Sequence, residues 1–281
     1  MTLFTTDENF IEEFIPKVEA LVTHQFISKS QADFLKDLKQ ALKNDEVVVL
    51  GDFSEYFTFI VQDSAQGLYF RNKQATIHPF VCYFKDPCSD KLMSSSFVVI
   101  SDFMKHGTSA VYAFQRKLMS QLKNMVTNLR KVFYFSDGSS AQYKNRNNVT
   151  NVWFHFDDFG VDAEWHFFAT SHGKSPCDGV GGTVKRLVTL YCLQHTEPGT
   201  QITDPERLSH WAVSHIQNIN FLWVSSGEVT KSEAFLETRF KCAKKFEGIR
   251  QVHAILPVHG ESCLIMKKYS AALEGEKRSV V

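Results

Sequence analysis

Apolar residues recur at three- and four-residue spacing over residues 8–25, through Phe10, Ile11, Phe14, Ile15, Val18 and Leu21, which predicts an amphipathic helix. A second helix is expected over 29–44, with Ala32, Leu35, Leu38 and Leu42 on one face and Ser30 as its cap. Together they predict a helical hairpin over 1–45. The texture then changes. Residues 47–50 read VVVL, a continuous apolar run of the kind that fills a central strand buried on both faces. Further β-rich segments lie at 57–62, 76–84 and 97–102. Helical spacing returns over 108–129 through Val111, Phe114, Leu118, Leu122, Met125 and Leu129. Residues 132–135 are another buried strand, and 145–158, 163–169 and 179–194 read as helix, strand and helix.

Several strands followed by helix, strand, helix, strand, helix suit an α/β protein with a ribonuclease H-like mixed sheet flanked by helices, here expected over 46–195. The segment 197–199, EPG, marks a boundary. Beyond it, 204–218 and 231–246 predict helices, and 250–256 with 262–268 predict a hairpin. These make a small C-terminal α+β extension over 196–281, closed by a tail, EGEKRSVV, with the look of a frayed end.

The strand ends carry the candidate chemistry. VVVLGD ends at Asp52 and VFYFSD at Asp137, and in α/β sheets sites gather at the carboxyl ends of neighbouring strands. A third acid, Asp178, stands at a helix start. Three acids from separate elements are what a two-metal phosphoryl-transfer site needs, with two ions about 4 Å apart. The cofactor expected is Mg²⁺ or Mn²⁺, bound by Asp52, Asp137 and Asp178. Glu55 and Glu164 are the substitutes. Read singly, Asp137-Gly138 is also a turn and Asp178 also a helix cap.

Candidate nucleic-acid contacts surround these acids. Gln142, Tyr143, Lys144 and Arg146 follow Asp137 with amide, aromatic and cationic groups suited to a backbone and an unstacked base. His172 and Lys174 lie in the loop SHGKSPCD, where they could meet a phosphate, and Lys185 and Arg186 follow on the next helix. Gly179, Gly181 and Gly182 lack the spacing of a phosphate-binding loop and instead suit close packing of a helix start. His172, Cys177, Cys192 and His195 have zinc-ligand types at a spacing that fits no standard finger. No G-x-S-x-G element supports a serine hydrolase.

Composition adjusts this picture only slightly. Lys+Arg and Asp+Glu are both 31 in 281 residues, so bulk charge does not attract nucleic acid and any contact needs a local basic patch. Twenty-five Phe predict an aromatic core. No apolar run approaches the roughly 20 residues of a membrane span. The acidic start, MTLFTTDENFIEEF, lacks a signal-peptide pattern, so a nuclear or cytoplasmic protein with free thiols is expected.

Several blocks also resemble a known family. DGSSAQYKNRNN, HFFATSHGKSPCDGVGGTVKR and GDFSEYFTFIVQDSAQGLYFRNKQATIHPFVCYFK are similar to segments of transposon-derived DDE/DDD-type transposases of animal genomes, over roughly 45–195. The resemblance implies a ribonuclease H-like, integrase-like core and Mg²⁺-dependent DNA strand cleavage and transfer. Its partners would be transposon ends and target DNA, with homo-oligomers allowed. It maps the acids to Asp52, Asp137 and Asp178. Tyr56 departs from the family pattern D-F-[AS]-E-N-Y, which has Asn there. The alternatives are a domesticated or decayed scaffold that binds nucleic acid or protein, and a simple ribonuclease H or exonuclease-like hydrolase.

Overall fold

Residues 6–59, 73–169, 175–195, 197 and 200–280 are described in the computed structural model of the chain. A long helix α1 (Asp7–Ala41) leads into β1 (Glu46–Gly51), the short β2 (Phe57–Thr58), β3 (Gln74–Lys85) and β4 (Leu92–Ser101). Next come α2 (Thr108–Met125), β5 (Lys131–Ser136), α3 (Arg146–Trp153), α4 (His155–Phe159), β6 (Asp162–Phe167) and α5 (Pro176–Gln194). The remainder holds α6 (Pro205–His215), β7 (Ile219–Trp223), α7 (Ser226–Cys242), β8 (Ala254–Pro257), β9 (Cys263–Lys267) and β10 (Glu276–Ser279).

The protein is α/β, with one mixed sheet in the order β10-β9-β8-β6-β5-β1-β3-β4-β7 and β2 paired to β3. β1, β5 and β6 run parallel, β3 is antiparallel to β1 and to β4, and β7 runs parallel to β4. β1 is covered on both faces, as its unbroken apolar run predicts. Val47 and Val49 join the core against α2 and α3, with Phe114, Leu118 and Val149. Val48 and Leu50 face the other way, toward Phe34, Leu35 and Leu38 of α1 and Cys177 of α5. Beside them Ile77, Val98 and Ile100 pack under α5 and α6 through Val184, Val188, Leu208 and Ala212.

Several expectations change. The predicted N-terminal hairpin is a single helix of 35 residues. Ser30, the expected cap of a second helix, lies within it instead, since no Gly or Pro stands between 17 and 41 and serine is accommodated within a helix. Pro16 lies inside it and forgoes one intrahelical hydrogen bond. The helix expected over 145–158 breaks at Phe154 into α3 and α4. The C-terminal extension does not form a core of its own. Ile255, Leu264, Met266 and Val280 share one core with Val47 and Phe114, because β8, β9 and β10 continue the sheet beyond β6. The frayed tail is β10, paired from Glu276 to Ser279 with β9. Its charged residues suit a sheet edge, where they discourage further pairing. β7 escaped prediction because it is five residues long with only Leu222 buried.

Gln31 fastens the first and last thirds of the chain together. It is buried, its Nε2 donates to the carbonyls of Phe167 (2.8 Å) and His253 (3.2 Å), and its Oε1 accepts from Ser270 N (2.7 Å). A near-isosteric Gln31→Leu removes these partners while keeping the volume. The expected loss is about 2–4 kcal/mol, since buried groups are left unpaired. Urea unfolding measures it, and a loss below about 0.5 kcal/mol would show that the groups find other partners.

Candidate functional site

The position of two acids follows from sheet register. β1 and β5 pair in parallel, with Leu50 opposite Phe135. Carried two residues on, the same register sets Asp52 beside Asp137 at the carboxyl ends of adjacent strands. β1 leaves the ladder there for a stated reason. Its antiparallel pairing with β3 ends at Gly51 and Phe80, and the next residue of β3 is Pro79, which has no N–H to give. Pro79 still accepts from Asp52 N (3.3 Å), and Ile77 O accepts from Ser54 N (3.0 Å), so the departing loop stays against β3. Asp137 is also a turn residue. Its Oδ1 accepts from Ser139 N at 3.1 Å, which fixes the carboxylate over the loop.

Asp178 arrives on the first turn of α5. Ser175 caps the helix and Asp178 returns the bond, accepting from Ser175 N at 3.2 Å in a capping box. The helix cap expected at Asp178 is thus Ser175, and Asp178 sits three residues on as its reciprocal partner. Two contacts draw the turn toward Asp52. Cys177 Sγ donates to the carbonyl of Leu50 (3.4 Å), and a Cβ added to Gly181 would stand 2.9 Å from Ser54 Oγ and 3.2 Å from Pro79 Cγ. Gly181 provides the close packing expected of the glycines. Gly179 and Gly182 face open space.

Electrostatics registers the convergence. Asp52 has its pKa pushed up to about 7, first by burial, then by the charge of Asp137, with a further contribution from Asp178. Burial also raises Asp137. The thiol of Cys177 is pushed to about 12 by burial, with Asp52 and Asp178 adding to it. Among the described residues none of the three acids forms an ion pair. The donor set, three carboxylates lacking a counter-charge, suits a hard divalent cation, which takes oxygen ligands and keeps several waters. In the present arrangement, however, no group of three or more His, Cys, Asp or Glu among the described residues is disposed to hold a metal ion. The acids share one electrostatic neighbourhood without forming a finished cage.

An aromatic wall behind Asp52 was not foreseen. Phe53 lies edge-on to His78 (4.4 Å between centroids) and stacked on His106 (4.1 Å). His78 Nε2 is hydrogen-bonded to the Tyr143 hydroxyl at 2.8 Å. Burial drives His78 down to about 3 and His106 to about 4, so both are neutral at pH 7. Burial raises the Tyr143 phenol well above its usual value, and Asp52 and Asp137 add to this. The signal in the sequence was the alternation His78, Phe80, Cys82 along β3, which puts a histidine on a core face.

This wall corrects one prediction. Tyr143 is 1% exposed and turned into the protein, so it presents no face to a base. Lys144 is also turned in. Its ammonium donates to Arg250 O (2.9 Å), and burial lowers its pKa to about 8. Gln142 is half-buried and Arg146 is exposed on the first turn of α3. Lys185 reaches the carbonyl of Glu55 at 3.4 Å, which holds it beside the Asp52 loop, while Arg186 is exposed. His172 and Lys174 lie outside the described residues. Glu164 fails as a substitute acid. It pairs in register with Phe133, four residues before Asp137, and is engaged by Lys131 (2.5 Å) and His166 (3.3 Å). Glu55 is exposed in the Asp52 loop. The zinc alternative loses its thiols, since Cys177 bonds to Leu50 O and Cys192 to Ile202 O (3.9 Å). None of the six cysteines is in a disulfide.

Residues 31–270 match the family described as "Domain of unknown function (DUF8701)". The chain belongs to that family. Comparison with curated proteins finds no match. Among solved structures, NurA bound to dAMP and manganese is similar at 13% identity and a TM-score of 0.16, over 75% of this chain and 47% of NurA. A second NurA structure gives 11% identity and a TM-score of 0.15, over 93% of this chain and 52% of that one. The chain thus spans about half the length of the NurA chains it matches.

The raised pKa of Asp52 gives a stability prediction with a definite sign. A carboxyl that is harder to ionise in the folded chain contributes stability that is full below about pH 4 and is lost as pH rises through about 7. Asp52→Asn removes that ionisation cost. At pH 8 the variant is expected to be more stable than the native chain by about 2 kcal/mol or more, with the gap closing by about pH 4. Urea midpoints across pH measure it. A gap that does not change with pH would mean that Asp52 ionises freely in the fold.

Proposed function

We propose that the chain is a metal-dependent polynucleotidyl transferase or nuclease core that acts on phosphodiester bonds of DNA, on a ribonuclease H-like sheet. The observation that carries this reading is the register of β1 and β5, which brings Asp52 beside Asp137 while Asp178 raises the same carboxyl from α5. The strand order β4-β3-β1-β5-β6 supports the fold assignment, with three antiparallel strands followed by two parallel ones across β1. Asp52 and Asp137 would hold Mg²⁺ or Mn²⁺, and Asp178 would complete the set. Bound there, two such ions supply Lewis-acid stabilisation to the attacking and leaving oxygens of a phosphodiester.

The chain's own residues do the rest. Phe53, His78 and Tyr143 close the floor behind Asp52, exclude water from that side and fix the loop. Lys185, Arg146 and Arg186 provide positive charge for a phosphate backbone, which an overall neutral chain must supply locally. The resemblance to transposon-derived transposases supports strand transfer over simple hydrolysis. A scaffold without catalysis is the second reading. It is favoured by the capping role of Asp178 and by the absence of a preassembled metal group among the described residues.

Two measurements separate these readings. Mn²⁺ or Mg²⁺ is expected to raise the melting temperature of the native chain by several degrees at pH 8, through binding to the folded state alone. Asp137→Asn is expected to abolish that rise. Nicking of supercoiled plasmid in Mn²⁺ is expected from the native chain and to fall by a factor of about 10³ in Asp137→Asn. A native chain that neither gains stability from the metal nor nicks DNA would establish the scaffold. Joined products in the same assay distinguish transfer from hydrolysis.

A further inference from the structure

The first half of α1 carries a large apolar surface that the other described residues leave uncovered. Ile11, Phe14, Ile15, Val18, Leu21 and Val22 are each between 38 and 63% exposed, and Phe10 stacks on Phe14 at 5.3 Å. These residues follow a seven-residue repeat. Ile11 and Val18 occupy its a positions, Phe14 and Leu21 its d positions, and Ile15 and Val22 widen the seam at e. Pro16 falls at f, on the outward side, where its missing hydrogen bond does not disturb the seam. Glu12, Glu13 and Glu19 fall at b and c. The repeat ends with Gln25 and Ser28 at the next a and d positions. The next turn enters the protein body, where Gln31 is buried and Phe34, Leu35 and Leu38 pack on the sheet.

We infer that this stripe is a parallel two-helix seam with a second copy of the same chain. β-branched Ile11 and Val18 at a, with Leu21 at one d position and Phe14 at the other, suit paired parallel helices. The exposed apolar residues of the stripe amount to roughly 600 Å² on each copy, so that the pair would bury about 1,200 Å² in all, the lower end of the range for a stable interface. Charge selects against the other candidates for this surface. Asp7, Glu8, Glu12, Glu13 and Glu19 face only Lys17 over the same segment, so anionic lipid headgroups and DNA are both repelled. In the self-pair, Glu12, Glu13 and Glu19 lie on the outer faces of the two helices, while Asp7 and Glu8, at the preceding d and e positions, end the apolar seam. Both protein bodies then hang from the same end of the stalk. This inference does not depend on the acids at the strand ends.

The full chain is the material for the test. Sedimentation across a concentration series is expected to give twice the 32.1 kDa chain mass. Leu21→Asp and Val18→Asp are expected to weaken the dimer by about a hundredfold or more, with unchanged far-UV circular dichroism, because both residues are exposed in the single chain. Leu21→Cys is expected to cross-link to itself on mild oxidation, above the background of the native chain. A native chain that remains a monomer overturns the inference, and binding of that monomer to zwitterionic vesicles would assign the stripe to lipid instead. A dimer indifferent to Leu21→Asp and Val18→Asp also overturns it, as does a dimer in which Leu21→Cys fails to cross-link.

Discussion

The parallel pairing of β1 with β5 is the constraint on which the rest depends. It joins two strands far apart in the chain, and each is buried on both faces, so neither can shift by one residue without exchanging its inner and outer side chains. A slip would move Val48 and Leu50 into the space of Val49 and would also part Asp52 from Asp137. The hydrophobic demand of the core and the alignment of the acids are thus one requirement. Hydrophobic burial supplies the energy, and the side-chain register transmits it to two carboxylates that contribute nothing to packing.

The same arrangement places an electrostatic load on the fold. Burial, and after it the charge of Asp137, makes Asp52 hard to ionise, and burial does the same to Asp137. The surrounding structure absorbs the load through rigid neutral groups. His78 is too deeply buried to charge, Tyr143 is held to it by a hydrogen bond, and Cys177 is pinned to a β1 carbonyl. Each of these could in principle relax toward the acids, and each is already committed elsewhere. The acids thus remain hard to ionise in a neutral setting, although as they stand they are not disposed as a metal-holding group.

Much of this was legible in the sequence. The two buried strands, VVVL and VFYF, announced themselves by composition, and their terminal acids followed from position alone. The cap at the start of α5 was read only in part, with Asp178 in the role that Ser175 holds. Other features were not legible because they arise from partners distant in the chain. Tyr143 and Lys144 look like solvent-facing polar residues beside a loop, but only the fold supplies His78 and the Arg250 carbonyl that draw them inward. The strand character of the tail was concealed because an edge strand made of Glu276, Lys277 and Arg278 has the same composition as a disordered end. The single helix α1 was read as two because serine favours caps in isolation, whereas here the neighbouring turns outweigh that preference.

Lys144 leads to a further consequence. It sits seven residues after Asp137 in the chain, and its ammonium is buried, lies over the ring of Phe167 and is tied to the carbonyl of Arg250 just before β8. The loop that carries the acid is therefore tethered to the far end of the polypeptide by a single donor. Any event that pulls residues 249–251 away must either drag that loop along or strand a cation in an apolar setting. The late segment thus acts as a mechanical stop on the position of the acid, and it does so through a main-chain carbonyl that does not depend on the side chain at position 250.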